Sequence, residues 1–216
     1  MTRRVEASSP GTAGGVEAVL LLHGMGRTSL SMRSLRRRLE REGYRAIDWP
    51  YRSLTVAIGA HAARLQETLR RLDSDAAILR IHLVTHSLGG IIARKALLER
   101  VPAKMGRVVM LAPPNRGSRL ATKMTPLLGR WIRPLADLSH VPDSAVNRLG
   151  VPTGVSIGVL AAAHDGKVRV EDTHLPGEAD HLVVPGFHTF LMSSRVVQDR
   201  TVRFLRSGRF TAQTPA

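Results

Sequence analysis

Between Ile81 and Ile92 the chain reads IHLVTHSLGGII, an apolar strand running into Thr85-His86-Ser87-Leu88-Gly89 and from there directly into a helix. A serine at such a junction sits on a strained strand-to-helix turn. Its hydroxyl projects above the sheet while the next backbone N–H groups point at the same spot. The chemistry this permits is nucleophilic attack on an electron-poor carbon. Strand and helix approach closely there, which asks for small residues two before and two after the serine. Gly89 meets the second requirement, and Thr85 stands where glycine is usual at the first. The competing reading is a chance serine in an apolar strand-loop-helix.

A nucleophile of this kind needs donors for the negative oxygen of a tetrahedral intermediate. Residues 19–27, VLLLHGMGR, supply a candidate: an apolar strand ends in His23-Gly24-Met25-Gly26, ahead of a helix. The Met25 and Leu88 N–H groups would form a two-donor oxyanion hole, each donor worth about 10²- to 10³-fold in rate. The His23 side chain is read as holding its own loop by hydrogen bonds, because the backbone does the oxyanion work. Gly24, His86 and Gly89 are placed with it as supporting or pocket residues.

These residues need a frame. From Val16 onward short apolar runs alternate with amphipathic segments, the pattern of a parallel sheet with helices on both faces. The expected strands are 19–22, 44–48, 78–84, 106–112, 155–161 and 181–184. In 30–42, Met32, Leu35 and Leu39 share one helical face and Arg33, Arg37 and Arg41 the opposite one. A longer helix carries Ile58, Ala62, Leu65, Leu69 and Leu72 at helical spacing. The segment 88–100 is apolar nearly all round and is expected to be central and buried. Residues 116–150 hold Pro126, Pro134 and Pro142 among Met124, Leu127, Leu128, Trp131 and Ile132, so they cannot form one long helix. They either pack over a sheet edge or form a small cap lining an apolar pocket. Residues 1–15 read as a disordered tail without a signal-peptide core, and 16–216 as a single domain. A soluble, cytoplasmic protein is the expectation.

Composition closes off other chemistries. The 216 residues contain no cysteine, which removes disulfides, zinc–thiolate sites and a cysteine nucleophile together. The formal charge is +15, and only Lys95, Lys104, Lys123 and Lys167 are lysines among 32 basic residues. A solvated, arginine-rich surface is the first reading. Attraction to anionic membranes, ligands or nucleic acid is the second. No specific nucleic-acid partner is expected, and contact with anionic membranes is expected to be weak and electrostatic.

HGMG, THSLGG and a later APPNRGS occur in the order used by the α/β-hydrolases, and from about Val16 to Phe204 the chain resembles the small bacterial lipase and esterase branch of that family. The resemblance implies a mostly parallel central sheet with a minimal cap, and catalytic residues ordered serine, acid, histidine. His188, in Pro185-Gly186-Phe187-His188-Thr189-Phe190, stands where the family's general base lies, with His164, His174 and His181 as competitors. Asp165, in His164-Asp165-Gly166-Lys167-Val168, resembles the turn that carries the acid, with Asp172 and Asp180 as competitors. Asn115, in Pro113-Pro114-Asn115-Arg116-Gly117-Ser118, lies in a loop resembling one beside the active site. Thr189 and Phe190 occupy the places where some larger relatives bind calcium through an acid, so no metal and no cofactor are expected. The implied activity is hydrolysis of a small-molecule acyl ester through an acyl-serine. A thioesterase, an acyltransferase or a non-catalytic binding module on the same fold are the alternatives.

Overall fold

The computed structural model describes residues 15–212; the expected tail lies almost wholly outside them. Six strands form one sheet: β1 (Val16–Leu22), β2 (Arg45–Asp48), β3 (Ile78–His86), β4 (Met105–Leu111), β5 (Ser156–Ala162) and β6 (Asp180–Val184). Their order is β2-β1-β3-β4-β5-β6, and every neighbouring pair is parallel. β3 runs two residues beyond the expected strand because Thr85 and His86 stay in register with Met110 and Leu111 of β4.

Alternation along the strands builds two apolar layers. Ala18, Leu20 and Leu22 of β1 face one side, with Leu83 of β3 and Val108 and Met110 of β4. On that side lie α2 (Ile58–Ser74), packed through Ala62, Leu65 and Leu69, and α3 (Leu88–Glu99), packed through Ile91, Ile92 and Ala96. Val19 and Leu21 face the other side with Val84, Val109 and Leu160. They are covered by α1 (Arg33–Arg41) through Leu35 and Leu39 and by a long C-terminal helix, Arg195–Ser207, through Val197, Val202 and Phe204. Each fully buried Leu, Ile, Val, Met or Phe side chain among them contributes about 1.5–3 kcal/mol. The expected helix 30–42 opens with a 3-10 turn, Ser29–Met32, before α1 begins, and Met32 is buried with Leu35 and Leu39.

The segment 116–150 folds as three short helices, α4 (Arg119–Leu128), α5 (Pro134–Asp137) and α6 (Ala145–Arg148). Two more follow: α7 (Val170–Thr173), and the long C-terminal helix, which becomes α8. Because all strands are parallel, the loops after β1, β3, β4, β5 and β6 leave from one edge. In open α/β sheets that edge is where ligands bind. Among the described residues no helix is long and apolar enough to cross a membrane.

Candidate active site

Ser87 joins β3 to α3 with φ 51° and ψ −118°. A non-glycine residue there is strained by about 1–3 kcal/mol, which the surrounding packing must over-determine. The contacts are tight enough to do so. A Cβ added at Gly89 would lie 2.7 Å from the Leu22 carbonyl oxygen and 2.9 Å from that of His23, so α3 rests directly on the end of β1. The space for Thr85 comes from the helix. A Cβ on Gly90 would lie 3.3 Å from Thr85 Oγ1, so the second glycine of the motif accommodates the threonine that replaces the usual glycine.

The other two expected partners meet at the same edge. His188 opens a 3-10 turn after β6, and its Nδ1 donates to Asp165 Oδ2 at 2.6 Å. Asp165 Oδ1 accepts from the amides of Lys167 and Val168 at 2.8 and 2.9 Å. Burial alone would raise this carboxyl. The His188 hydrogen bond and charge, with the two amides, outweigh it and hold Asp165 below its ordinary value. Both side chains are shielded, 7% exposed for His188 and 2% for Asp165. With Nδ1 engaged, Nε2 is the nitrogen available to exchange a proton with a neighbour. Ser87, His86 and His188 line one cavity of about 220 Å³. Among the described residues Ser87 Oγ makes no hydrogen bond. Catalytic hydrogen bonds are often loose without substrate and tighten on binding.

His86 packs its ring 4.9 Å from that of His188, and its Nε2 donates to the His188 backbone carbonyl at 2.9 Å. A carbonyl only accepts, so Nε2 carries the proton and Nδ1 is bare. That Nδ1 is buried without a partner. Burial, reinforced by the charges of His188 and Arg27, pushes the imidazole down to about 3. A Cβ on Gly24 would come within 2.6 Å of the bare nitrogen, so the loop passes over His86 only as glycine. His23 Nδ1 donates to the Gly24 carbonyl at 2.9 Å, its ring stacks on Tyr51 at 4.1 Å, and the Tyr51 hydroxyl donates to the His23 carbonyl. The Gly26 amide is taken up by Ser53 Oγ at 3.0 Å. The Met25 and Leu88 amides have no hydrogen-bond partner among the described residues.

One wall of the cavity comes from the 116–150 segment, through Met124 and Leu128 of α4, Ile132, Leu135 of α5 and Leu138, and Met25 and Val168 complete it. The residue that anchors this wall escaped the sequence reading. Arg94, 4% exposed within the apolar helix α3, donates from Nε to the Gly150 carbonyl at 2.8 Å and from Nη1 to the Asn115 carbonyl at 3.0 Å. Nη2 donates to the Leu149 carbonyl. One guanidinium thus ties together both ends of the segment. Burial lowers it to about 10, which leaves it charged at neutral pH. The available signal was an arginine set among Ile91, Ile92, Ala93 and Ala96 on a helix whose other charges are Lys95 and Glu99. Asn115 does not line the cavity. It lies behind it, with Nδ2 donating to the Thr173 carbonyl at 2.8 Å.

His164, His174, His181, Asp172 and Asp180, the competitors for base and acid, do not line the cavity. The fold does gather His174, Glu178 and His181, whose ligand-capable atoms lie within 4.8 Å of one another. One nitrogen of each histidine is already engaged, His174 Nδ1 with Glu178 at 2.6 Å and His181 Nε2 with Thr173 Oγ1 at 2.9 Å.

The sheet order, the elbow and the edge on which these loops converge define an α/β-hydrolase fold. Solved structures of that class superpose on the chain. The mature form of the Bacillus licheniformis lipase BlEst2 is 16% identical with a TM-score of 0.71, over 96% of each chain. Its propeptide form is 17% identical with a TM-score of 0.74 and covers 97% of this chain, which spans only 54% of that longer one. The metagenomic carboxyl esterase MGS0156 is 22% identical with a TM-score of 0.65, over 86% of this chain and 70% of its own. No curated protein matches the sequence. The chain belongs to the family described as "Domain of unknown function (DUF7379)", whose model matches residues 2–168. That span includes Ser87 and Asp165 and stops before His188.

Proposed function

We propose that the protein is a serine hydrolase of carboxylic esters. The observation that carries this reading is the convergence of a strained Ser87 and the His188–Asp165 pair on one apolar cavity. Ser87 Oγ attacks the acyl carbon while His188 Nε2 takes its proton. Asp165 fixes the imidazole tautomer and stabilises the imidazolium, and the Met25 and Leu88 amides hold the oxyanion. His188 returns the proton to the leaving group, and water then releases the acyl group by the same steps in reverse roles.

The cavity sets the acyl side. An apolar cavity of about 150 Å³ holds a six-carbon ring. On that scale 220 Å³ suits an acyl chain of roughly six to nine carbons. Short and medium acyl esters in solution are therefore the proposed substrates. Hydrolysis of p-nitrophenyl hexanoate by wild type and Ser87→Ala tests the reading. The expected loss is about 10⁶-fold in kcat if the three residues act as a unit. A folded Ser87→Ala protein that keeps more than a few per cent of the activity would reject Ser87 as nucleophile.

A further inference from the structure

Beside the Ser87 cavity runs a second depression, a groove of about 580 Å³ lined by Arg27, Arg33, Arg37 and Arg41. Arg27 and Thr189 line both, so the groove is continuous with the cavity at its mouth. Arg33, Arg37 and Arg41 follow at four-residue spacing on one face of α1, a row spanning roughly 12 Å. The arginines of this helix are sorted. Arg36 pairs with Glu40 at 2.8 Å and with Asp48 at 2.9 Å, and Arg38 pairs with Glu42 at 2.6 Å and Asp199 at 3.0 Å. None of the four groove arginines pairs with a carboxylate among the described residues. Like charges held this close repel one another, and an anion in the groove would relieve that repulsion. Phe190, 66% exposed, adds an uncovered aromatic ring to the same groove.

We infer that this groove receives the leaving group of the substrate and that the leaving group carries phosphate. The inference rests on the acyl-serine reading for its orientation. With the acyl chain in the apolar cavity, the other half of the substrate must extend from the mouth, where Arg27 begins the row. When the acyl–oxygen or acyl–sulfur bond breaks, the acyl group stays on Ser87 Oγ. The alcohol or thiol leaves along the groove with the proton returned by His188. Guanidinium forks match phosphate oxygens in pairs. A carboxylate offers one charge on two oxygens, whereas a phosphate monoester offers up to two charges on three oxygens and can bridge neighbouring arginines of the row. Two kinds of leaving group share this chemistry, a phosphorylated carrier thiol and a glycerophosphate headgroup.

Binding and turnover separate the two halves of the inference. Calorimetry on folded Ser87→Ala protein would use coenzyme A, glycerol 3-phosphate and inorganic phosphate as probes. We expect a phosphate-bearing probe to bind and R33E/R37E to weaken it roughly tenfold or more. Binding should also fall in 0.5 M salt, where the Debye length is about 4 Å. Tighter binding of coenzyme A than of glycerol 3-phosphate assigns the carrier thiol, and the reverse assigns the headgroup. In turnover, the ratio of kcat/KM for hexanoyl-coenzyme A, or for 1-hexanoyl-glycerol 3-phosphate, to that for p-nitrophenyl hexanoate should fall roughly tenfold in R33E/R37E and by less in R33Q/R37Q. Absence of binding by all three probes, or equal binding by wild-type and R33E/R37E grooves, overturns the inference while leaving ester hydrolysis standing. Binding that R33E/R37E abolishes in a protein that hydrolyses no ester leaves the groove as an anion site and removes the acyl-serine reading instead.

Discussion

The elbow at Thr85–Gly90 and the wall at 116–150 border the same cavity, yet they are held in place by different means. The elbow is fixed by backbone contact: Gly89 against the end of β1, Gly24 against His86 and a strained Ser87 between them, with nothing to adjust. The wall is short helices hung from carbonyl groups, both of its ends gathered by the single side chain of Arg94. Such a division suits the proposed hydrolase, whose reacting atoms must be placed to a fraction of an ångström while its pocket has only to be the right size. Changes at the elbow and its partners should therefore stop chemistry with the fold intact, and changes at the wall should alter the fold and pocket first.

Asp165→Asn probes the first half most severely. Removing the charge that orients His188 should lower kcat by up to about 10⁴-fold, with thermal unfolding little changed. Steady-state kinetics on a soluble ester would show it. An unaffected Asp165→Asn enzyme beside a crippled Asp172→Asn or Asp180→Asn enzyme would move the acid elsewhere.

Arg94→Met probes the second. It removes the donor from three carbonyls at the two ends of the wall, and we expect a loss of about 3 kcal/mol in denaturant unfolding. Hydrogen exchange should quicken in 116–150 while the amides of β3 stay protected. Exchange that rises equally throughout the sheet would show that Arg94 holds the core rather than the wall.

A third test concerns His86, which lies within the elbow but acts on its partner. Its folded value of about 3 lies below the ordinary 6.5. Between those two pH values the unfolded chain binds a proton that the folded chain does not. Stability therefore rises with pH across that window, and on acidification it is lost from 6.5 downward. The slope from this residue is about 1.4 kcal/mol per pH unit. His86→Gln removes that slope, so chemical denaturation from pH 7 to 4 should show the variant less acid-sensitive than wild type. Parallel curves for the two proteins would contradict a buried neutral His86.

The sequence carried much of this because its informative features were local. Six strands were legible from apolar runs, and the faces of α1, α2 and α3 from helical spacing. His188, Asp165 and Ser87 were placed by motif and chain order, and the fold brings them to one edge. What stayed hidden depends on distant parts of the chain. Nothing near Arg94 announces that Asn115, Leu149 and Gly150 will meet its guanidinium. Likewise His86 reads as a neighbour of Ser87, and only the fold brings the His188 carbonyl, 102 residues away, onto its Nε2. The basic charge was legible as a total, but the separation of paired from unpaired arginines on α1 is a property of side-chain placement.

The central claim is that Ser87 is activated by its surroundings, and a fluorophosphonate probe with peptide mass spectrometry tests it most directly. Only a serine with a working base and oxyanion site displaces fluoride to form the Oγ–P bond at a useful rate. One adduct is expected, on the peptide containing Thr85-His86-Ser87-Leu88-Gly89, with labelling much slower in His188→Ala. An unlabelled wild-type protein, or an adduct on another serine with Ser87 free, would contradict it.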